Sequence, residues 1–84
     1  MNYFYILRSR KDGSLYHGST TNLKIRFAEH SRGSVQTTKF RLPVELIYYE
    51  AYTTIDLARK RERQVKQSGS IRQALHKRIQ QILV

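Results

Sequence analysis

Lys11-Asp12-Gly13 separates two short runs rich in aromatic and β-branched residues, Tyr3 to Ser9 and Ser14 to Gly18, and this pattern commits the N-terminal segment to a β-hairpin. With Asp12-Gly13 as the two central turn residues, Ser9 lies opposite Tyr16. Side chains alternate along a strand, so Tyr5 and Tyr16 then project from the same face. Phe4 and Ile6 take the other face with Leu15, and the first strand is expected to be covered on both sides.

What must cover that strand is limited by size and composition. The chain has 84 residues and no cysteine. A chain of this length buries only about 60–65% of its unfolded surface, so one compact domain over residues 1–84 is expected. Neither a disulfide nor a thiolate metal site can supplement its core. Met1 to Leu7 is apolar only briefly and lacks a basic leader, and no apolar run approaches the ~18 residues of a membrane span. A soluble, cytoplasmic chain with no membrane partner is the expectation. Sixteen Lys and Arg against six Asp and Glu give a formal net charge of +10. Lys and Arg bound along a phosphate backbone release its condensed counterions, so polyanions are the partners this excess suits: DNA, with RNA as the alternative.

The rest of the chain supplies three helices and one strand. Ser19-Thr20-Thr21-Asn22 is a turn and cap cluster, opening a helix expected over about residues 22–32 and stopped by Gly33. On a helical wheel Leu23 and Phe27 set the apolar direction, and Arg26 and His30, four residues apart, run along one edge of it. Gly33 to Leu42 reads as a mobile basic loop carrying Lys39 and Arg41 and ending at Pro43. A third strand follows from about Val44 to Tyr52. Thr53 or Thr54 caps a second helix from about Ile55 to Gln67, with Asp56 in its first turn. Ser68-Gly69-Ser70 interrupts it, and Ser70 with Gln73 forms a capping box for a third helix that aligns Ile71, Ala74, Leu75, Ile79 and Ile82. The expected fold is α+β, a small three-stranded antiparallel sheet flanked by helices in the order ββαβαα.

One residue of the second helix breaks its own pattern. Ile55, Ala58 and Val65 form an apolar arc, and Glu62 falls inside it. An ion pair with Arg59 or Lys66 at helical spacing is the competing explanation, worth only about 0.3–0.5 kcal/mol. The inward position argues against it. His17 and His76 lack the spacing and carboxylate company of a zinc site, and neither is read as a ligand.

Tyr3-Phe4-Tyr5 and Tyr16-His17-Gly18 resemble the paired tripeptides of the GIY-YIG nuclease domain, and the resemblance continues downstream. Asn22 to His30 looks like the family's motif helix, Pro43 to Glu50 like its third strand, and Ala58 to Lys66 like the helix bearing its metal carboxylate. Nearly the whole chain is covered, and the short single-domain members, similar to the N-terminal domain of the excinuclease C subunit, are the nearest in form. The resemblance implies divalent-metal-dependent hydrolysis of phosphodiester bonds, and with no separate module to read sequence the expected substrate is structured or damaged DNA, in a repair setting. Glu62 would bind one Mg²⁺ or Mn²⁺, a hard cation suited to carboxylate oxygen. Arg26 would grip the scissile phosphate with its planar donor fork. Tyr5 and Tyr16 would position or deprotonate the attacking water, with the choice between them open, and His30 would orient a tyrosine or relay a proton. Lys24, Lys39 and Arg41 join Arg26 as expected nucleic-acid contacts, and a targeting partner protein suits so short a chain. His17 stands where the family usually has an aliphatic residue. No asparagine follows Asn22, whereas many family nucleases carry one in the third helix. A non-catalytic nucleic-acid-binding domain on the same scaffold is the alternative function.

Overall fold

The computed structural model describes residues 1–83 and contains β1 (Asn2–Ser9), β2 (Leu15–Thr20), α1 (Leu23–Ser31), β3 (Val44–Tyr52), α2 (Ile55–Gln67) and α3 (Gly69–Leu83). The strands form an antiparallel sheet in the order β2-β1-β3. The arrangement is the expected α+β order, ββαβαα, and the structure places β1 at the centre of the sheet.

The hairpin register differs from the sequence expectation. Tyr16 lies opposite Leu7, and Tyr5 opposite Gly18. The cause is the turn: Ser9 N–H donates to the Ser14 carbonyl at 2.9 Å and Gly13 N–H to the Ser9 carbonyl at 2.8 Å, so Arg10 to Gly13 together make the loop. Gly13 closes it at φ +76°, a conformation that favours glycine, and Asp12 Oδ1 accepts from the Ser14 N–H at 2.9 Å. The displacement is two residues, an even number, so face parity survives. Tyr5 and Tyr16 still share a face, and Phe4, Ile6 and Leu15 still share the other.

β1 is buried from Phe4 through Leu7, as a central strand covered on both sides requires. On one face Phe4 and Ile6 pack with Val65 of α2 and with Leu75 and Ile79 of α3, and Leu15, Ile47, Tyr48 and Tyr52 seal the margin. Each such side chain fully buried contributes about 1.5–3 kcal/mol. A β-bulge adapts β3 to this face. Ile6 pairs with Tyr48 but Leu7 with Leu46, leaving Ile47 as the extra residue, so both Ile47 and Tyr48 reach the core. The polar groups of β3 are then drawn together at α2. Glu50 accepts from the Tyr48 and Tyr52 hydroxyls at 2.6 Å each and from Arg61 Nε at 3.0 Å. Burial works against the charge of Glu50, but these three donors outweigh it and hold its carboxyl below the usual range.

Two helix ends and one loop depart from expectation. α1 runs from Leu23 to Ser31, with Asn22 as a cap accepting from Ile25 N–H at 3.1 Å. α3 begins at Gly69 instead of after Ser70, because Ser68 Oγ accepts the Ile71 N–H at 3.3 Å and so occupies the capping position. Residues 33–42 do not form an open loop. They hold a 3-10 turn at Lys39–Arg41 and bury Val35 and Thr38, because Thr38 finds a hydrogen-bond partner on α1.

His17 and His76, unconnected in the sequence pattern, meet across 59 residues. Their Nε2 atoms lie 2.9 Å apart, and the His17 ring stacks on Phe4 and on His76 with interplanar angles of 10° and 5°. This contact ties α3 to β2. Burial, then the neighbouring His76, Lys66 and Arg72, push His17 down to about 4, which suits a neutral imidazole in a shared hydrogen bond.

Candidate active site

On the face of the sheet covered by α1, Tyr5 is 1% exposed and its hydroxyl lies 2.8 Å from His30 Nε2. The ring reaches this place across β2, where Gly18 leaves room for it: a Cβ built on Gly18 would sit 2.5 Å from the Tyr5 hydroxyl oxygen. The glycine of the second tripeptide is therefore a packing requirement imposed by the tyrosine of the first. His30 is fully buried, and its other ring nitrogen, Nδ1, lies 2.8 Å from Thr38 Oγ1. Burial, reinforced by Arg26, holds His30 down at about 4. A neutral imidazole has one donor and one acceptor nitrogen, so Tyr5 and Thr38 must take opposite roles toward it. Burial pushes the Tyr5 phenol up to about 12, with Arg26 pulling the other way.

Tyr16 completes the aromatic group. Its ring centroid lies 5.0 Å from that of His30 and 6.3 Å from that of Tyr5, and unlike Tyr5 it is only half-buried. Arg26, one turn before His30, pairs with Glu29 at 3.2 Å on the helix surface. Both side chains are half-buried, and a single i,i+3 pair is weak, so the guanidinium can exchange it for a phosphate.

Glu62 approaches from the other face of the sheet, around β2, which is the outer strand. Its Oε1 accepts from Ser19 Oγ at 2.5 Å and its Oε2 from Lys66 Nζ at 2.7 Å. The inward position is real, since Glu62 is half-buried against β2, yet the Lys66 pairing that the position argued against is also present. Both occur because residue 62 sits at the edge of the apolar arc, where a carboxylate can touch the strand and the next helical turn together. Lys66 also places its ammonium 5.8 Å from the Tyr16 ring centroid, so it spans the gap between the carboxylate and the tyrosines.

These contacts bring Tyr5, Tyr16, Arg26 and His30 into one group, with Glu62 beside it through Lys66. Lys24 lies elsewhere, lining a groove with Tyr3, Phe27 and Tyr49. Lys39 and Arg41 stand on the 3-10 turn next to Thr38. Gly18, Ser19, Thr38 and Lys66 were not foreseen as parts of the site. Lys66 had a signal, four residues after Glu62. Thr38 had none.

Among the described residues no group of three or more His, Cys, Asp or Glu side chains could hold a metal ion. A single carboxylate with an adjacent hydroxyl still fits Mg²⁺ or Mn²⁺ chemistry, since Mg²⁺ usually keeps several waters and takes one or two carboxylates plus substrate phosphate. Glu62 and Ser19 are the hard oxygen donors available, and Lys66 occupies the carboxylate oxygen that a cation would claim.

The depressed histidines make stability pH-dependent, and burial holds His76 down as well as His17 and His30. In the unfolded chain they take up protons near pH 6.5, whereas in the fold His17 and His30 do so only at about 4. Between those values the unfolded state binds more protons, so stability falls as pH drops through this window, by a few kcal/mol in order of magnitude. Thermal melts from pH 7 to 4.5 should show a declining Tm, and His17→Gln should flatten the slope. An unchanged slope in that variant would remove His17 from the effect.

A hairpin carrying the tyrosine tripeptides, the Arg26–His30 helix, a third strand and the Glu62 helix define a GIY-YIG catalytic domain, and the chain belongs to that family: the family model matches residues 1–72. Within it, the chain is similar to UPF0213 proteins. It is 42% identical over 66 residues to one from Staphylococcus epidermidis, covering 77% of this chain and 79% of that protein. One from Streptococcus pyogenes is 43% identical over 61 residues, covering 71% and 65%. The solution NMR structure of a UPF0213 protein from Bacillus halodurans is 34% identical with a TM-score of 0.56, covering 92% of this chain and 84% of that one. Family membership implies a nuclease-type function with DNA as substrate. No helix among the described residues is long and apolar enough to cross a membrane.

Proposed function

We propose that this protein is a divalent-metal-dependent endonuclease that hydrolyses phosphodiester bonds in structured or damaged DNA. The observation that carries this reading is the meeting of Tyr5, Tyr16 and His30 beside Arg26, with the Glu62 carboxylate held next to them by Ser19 and Lys66. Phosphodiester hydrolysis places negative charge on the phosphate oxygens and the leaving oxygen, so it needs cations fixed in place before reaction. Arg26 supplies one such cation from the protein, and Mg²⁺ or Mn²⁺ at Glu62, with Ser19 alongside, would supply Lewis-acid stabilisation of the same charge.

The two tyrosines divide the work. A phenol pushed up to about 12 is a hydrogen-bond donor and not a base at neutral pH, so Tyr5 orients the site through His30. Tyr16, half-buried and open toward solvent, is the phenol that can meet the attacking water. Its hydroxyl oxygen accepts a hydrogen bond from that water and orients it; the water proton passes to solvent as the new P–O bond forms, and the leaving oxygen takes a proton from solvent as its bond to phosphorus breaks. His30, held by Thr38, keeps Tyr5 in place.

The second reading, a non-catalytic nucleic-acid-binding domain, draws on a specific observation. Both Glu62 oxygens already have partners in the fold, and α3 carries no asparagine. Incubation of purified protein with supercoiled, single-stranded and branched DNA in Mg²⁺ or Mn²⁺ separates the two. Metal-dependent cleavage that stops in EDTA and is lost in Arg26→Ala supports the enzyme. Salt-sensitive binding that ignores EDTA, with no cleavage of any substrate, supports the binding domain.

A further inference from the structure

We infer that Phe40, carried on the Lys39–Arg41 turn, is a stacking platform for an unpaired nucleobase of the strand held at the candidate site. This rests on the nucleic-acid reading above and adds a base contact to it. Phe40 is 75% exposed. A single exposed phenylalanine is ordinary, but this ring is presented by a backbone fastened on every side. Ser9 Oγ donates to the Arg41 carbonyl at 2.6 Å, Lys11 Nζ to the Phe40 carbonyl at 3.4 Å, and Thr38 is fully buried against His30. The turn is thus fixed while its ring faces solvent.

The neighbours suit a nucleotide strand. Lys39 Nζ lies 4.9 Å from the Phe40 ring centroid, and Arg41 is exposed on the other side in sequence. With the Lys39 ammonium over one face of this exposed ring, a base can stack on it while Lys39 and Arg41 meet the phosphates, with little regard for base identity. Location joins it to the site. Phe40 is two residues from Thr38, a backbone span of at most about 7 Å, so the ring lies within a few nucleotides of the Tyr5–His30 pair. A membrane contact would call for a broad apolar face, and here one ring stands among cations.

Binding of the full chain to a fluorescently labelled single-stranded oligonucleotide of about 15 nucleotides, in EDTA so that cleavage plays no part, tests the inference. Phe40→Ala and Phe40→Leu are expected to weaken binding roughly 5- to 150-fold, the range for losing one base stack, while Phe40→Tyr retains it. Quenching of a 2-aminopurine probe should fall in the Ala and Leu variants alone. Equal affinity of Phe40→Ala and parent overturns the platform, as does a Leu variant that binds as well as the Tyr variant. Loss of binding to phosphatidylserine vesicles with oligonucleotide binding intact overturns it in favour of a membrane contact. A parent that binds no DNA overturns the nucleic-acid reading together with the platform, whereas a binding parent matched by Phe40→Ala removes the platform alone.

Discussion

Glu62→Gln is expected to lower metal-dependent DNA cleavage by at least about a hundred-fold, the usual scale for losing a group that holds charge stabilisation at a reacting phosphate. Glutamine preserves the size of the side chain, and its carbonyl can still accept the Ser19 hydroxyl that now bonds Oε1. What it loses is the negative charge, and with it the pairing to Lys66. An i,i+4 pair near the surface contributes only about 0.3–0.5 kcal/mol, so Tm should barely move. The fold and DNA affinity in EDTA thus serve as internal controls for the loss of cleavage. Lys66→Met provides the complementary case. It frees Oε2 while retaining an unbranched stem beside Tyr16, and should lower the concentration of Mg²⁺ or Mn²⁺ needed for half-maximal cleavage. A Glu62→Gln protein that cuts at the parental rate would reduce Glu62 to a structural partner of Ser19 and Lys66.

Gly18→Ala is expected to damage stability and activity together. The added Cβ would lie 2.5 Å from the Tyr5 hydroxyl oxygen and 2.6 Å from Cζ, inside the range that real contacts allow. Tyr5 cannot simply swing away, because it is buried and its hydroxyl is paired with His30. Overpacking of this kind costs about 1–3 kcal/mol, and for a domain of this size each kcal/mol lowers Tm by about 4–8 °C. Cleavage should fall further than the unfolded fraction explains, because the forced shift moves the hydroxyl that orients His30. A double-mutant cycle with Tyr5→Leu isolates the clash. With the phenol gone, Gly18→Ala should become less destabilising than in the parent, a coupling measured by chemical denaturation. Purely additive effects would show that alanine at 18 acts on the strand itself and not through Tyr5.

Much of the fold was legible because its signals are local. Asn22 and Thr54 act as the helix caps that their residue types suggest. The β3 and α2 boundaries match the pattern of apolar residues, and Tyr5 and Tyr16 share the expected face because the turn is displaced by an even number of residues. The hairpin register was less accessible, since Asp12-Gly13 suits a two-residue turn and the observed loop uses four residues closed by backbone bonds at Ser9 and Ser14. The segment from Gly33 to Leu42 looked like a loop because it is polar. A polar sequence cannot show that one of its threonines will be buried against a histidine eight residues earlier.

Of the candidate site, residue types were visible and connections were not. Arg26 and His30 stand out by their place beside an apolar stripe, and Glu62 by its place within one. The same wheel could not say that Glu62 meets both Ser19 on β2 and Lys66 on its own helix, or that the isolated histidines at 17 and 76 would share a hydrogen bond.

The sequence by itself determined the order ββαβαα, a first strand covered on both sides and the positive charge that suits a phosphate backbone, because these follow from alternation, capping and composition within a few residues. Only the tertiary structure decided that Gly18 makes room for Tyr5, that Thr38 sets the role of His30, and that Lys66 stands between Glu62 and Tyr16. The contacts that hold the site together include pairs far apart in the chain, 25 residues for Tyr5 and His30 and 43 for Ser19 and Glu62. Such pairs are chosen by how the layers close on β1, and no local preference encodes that closure.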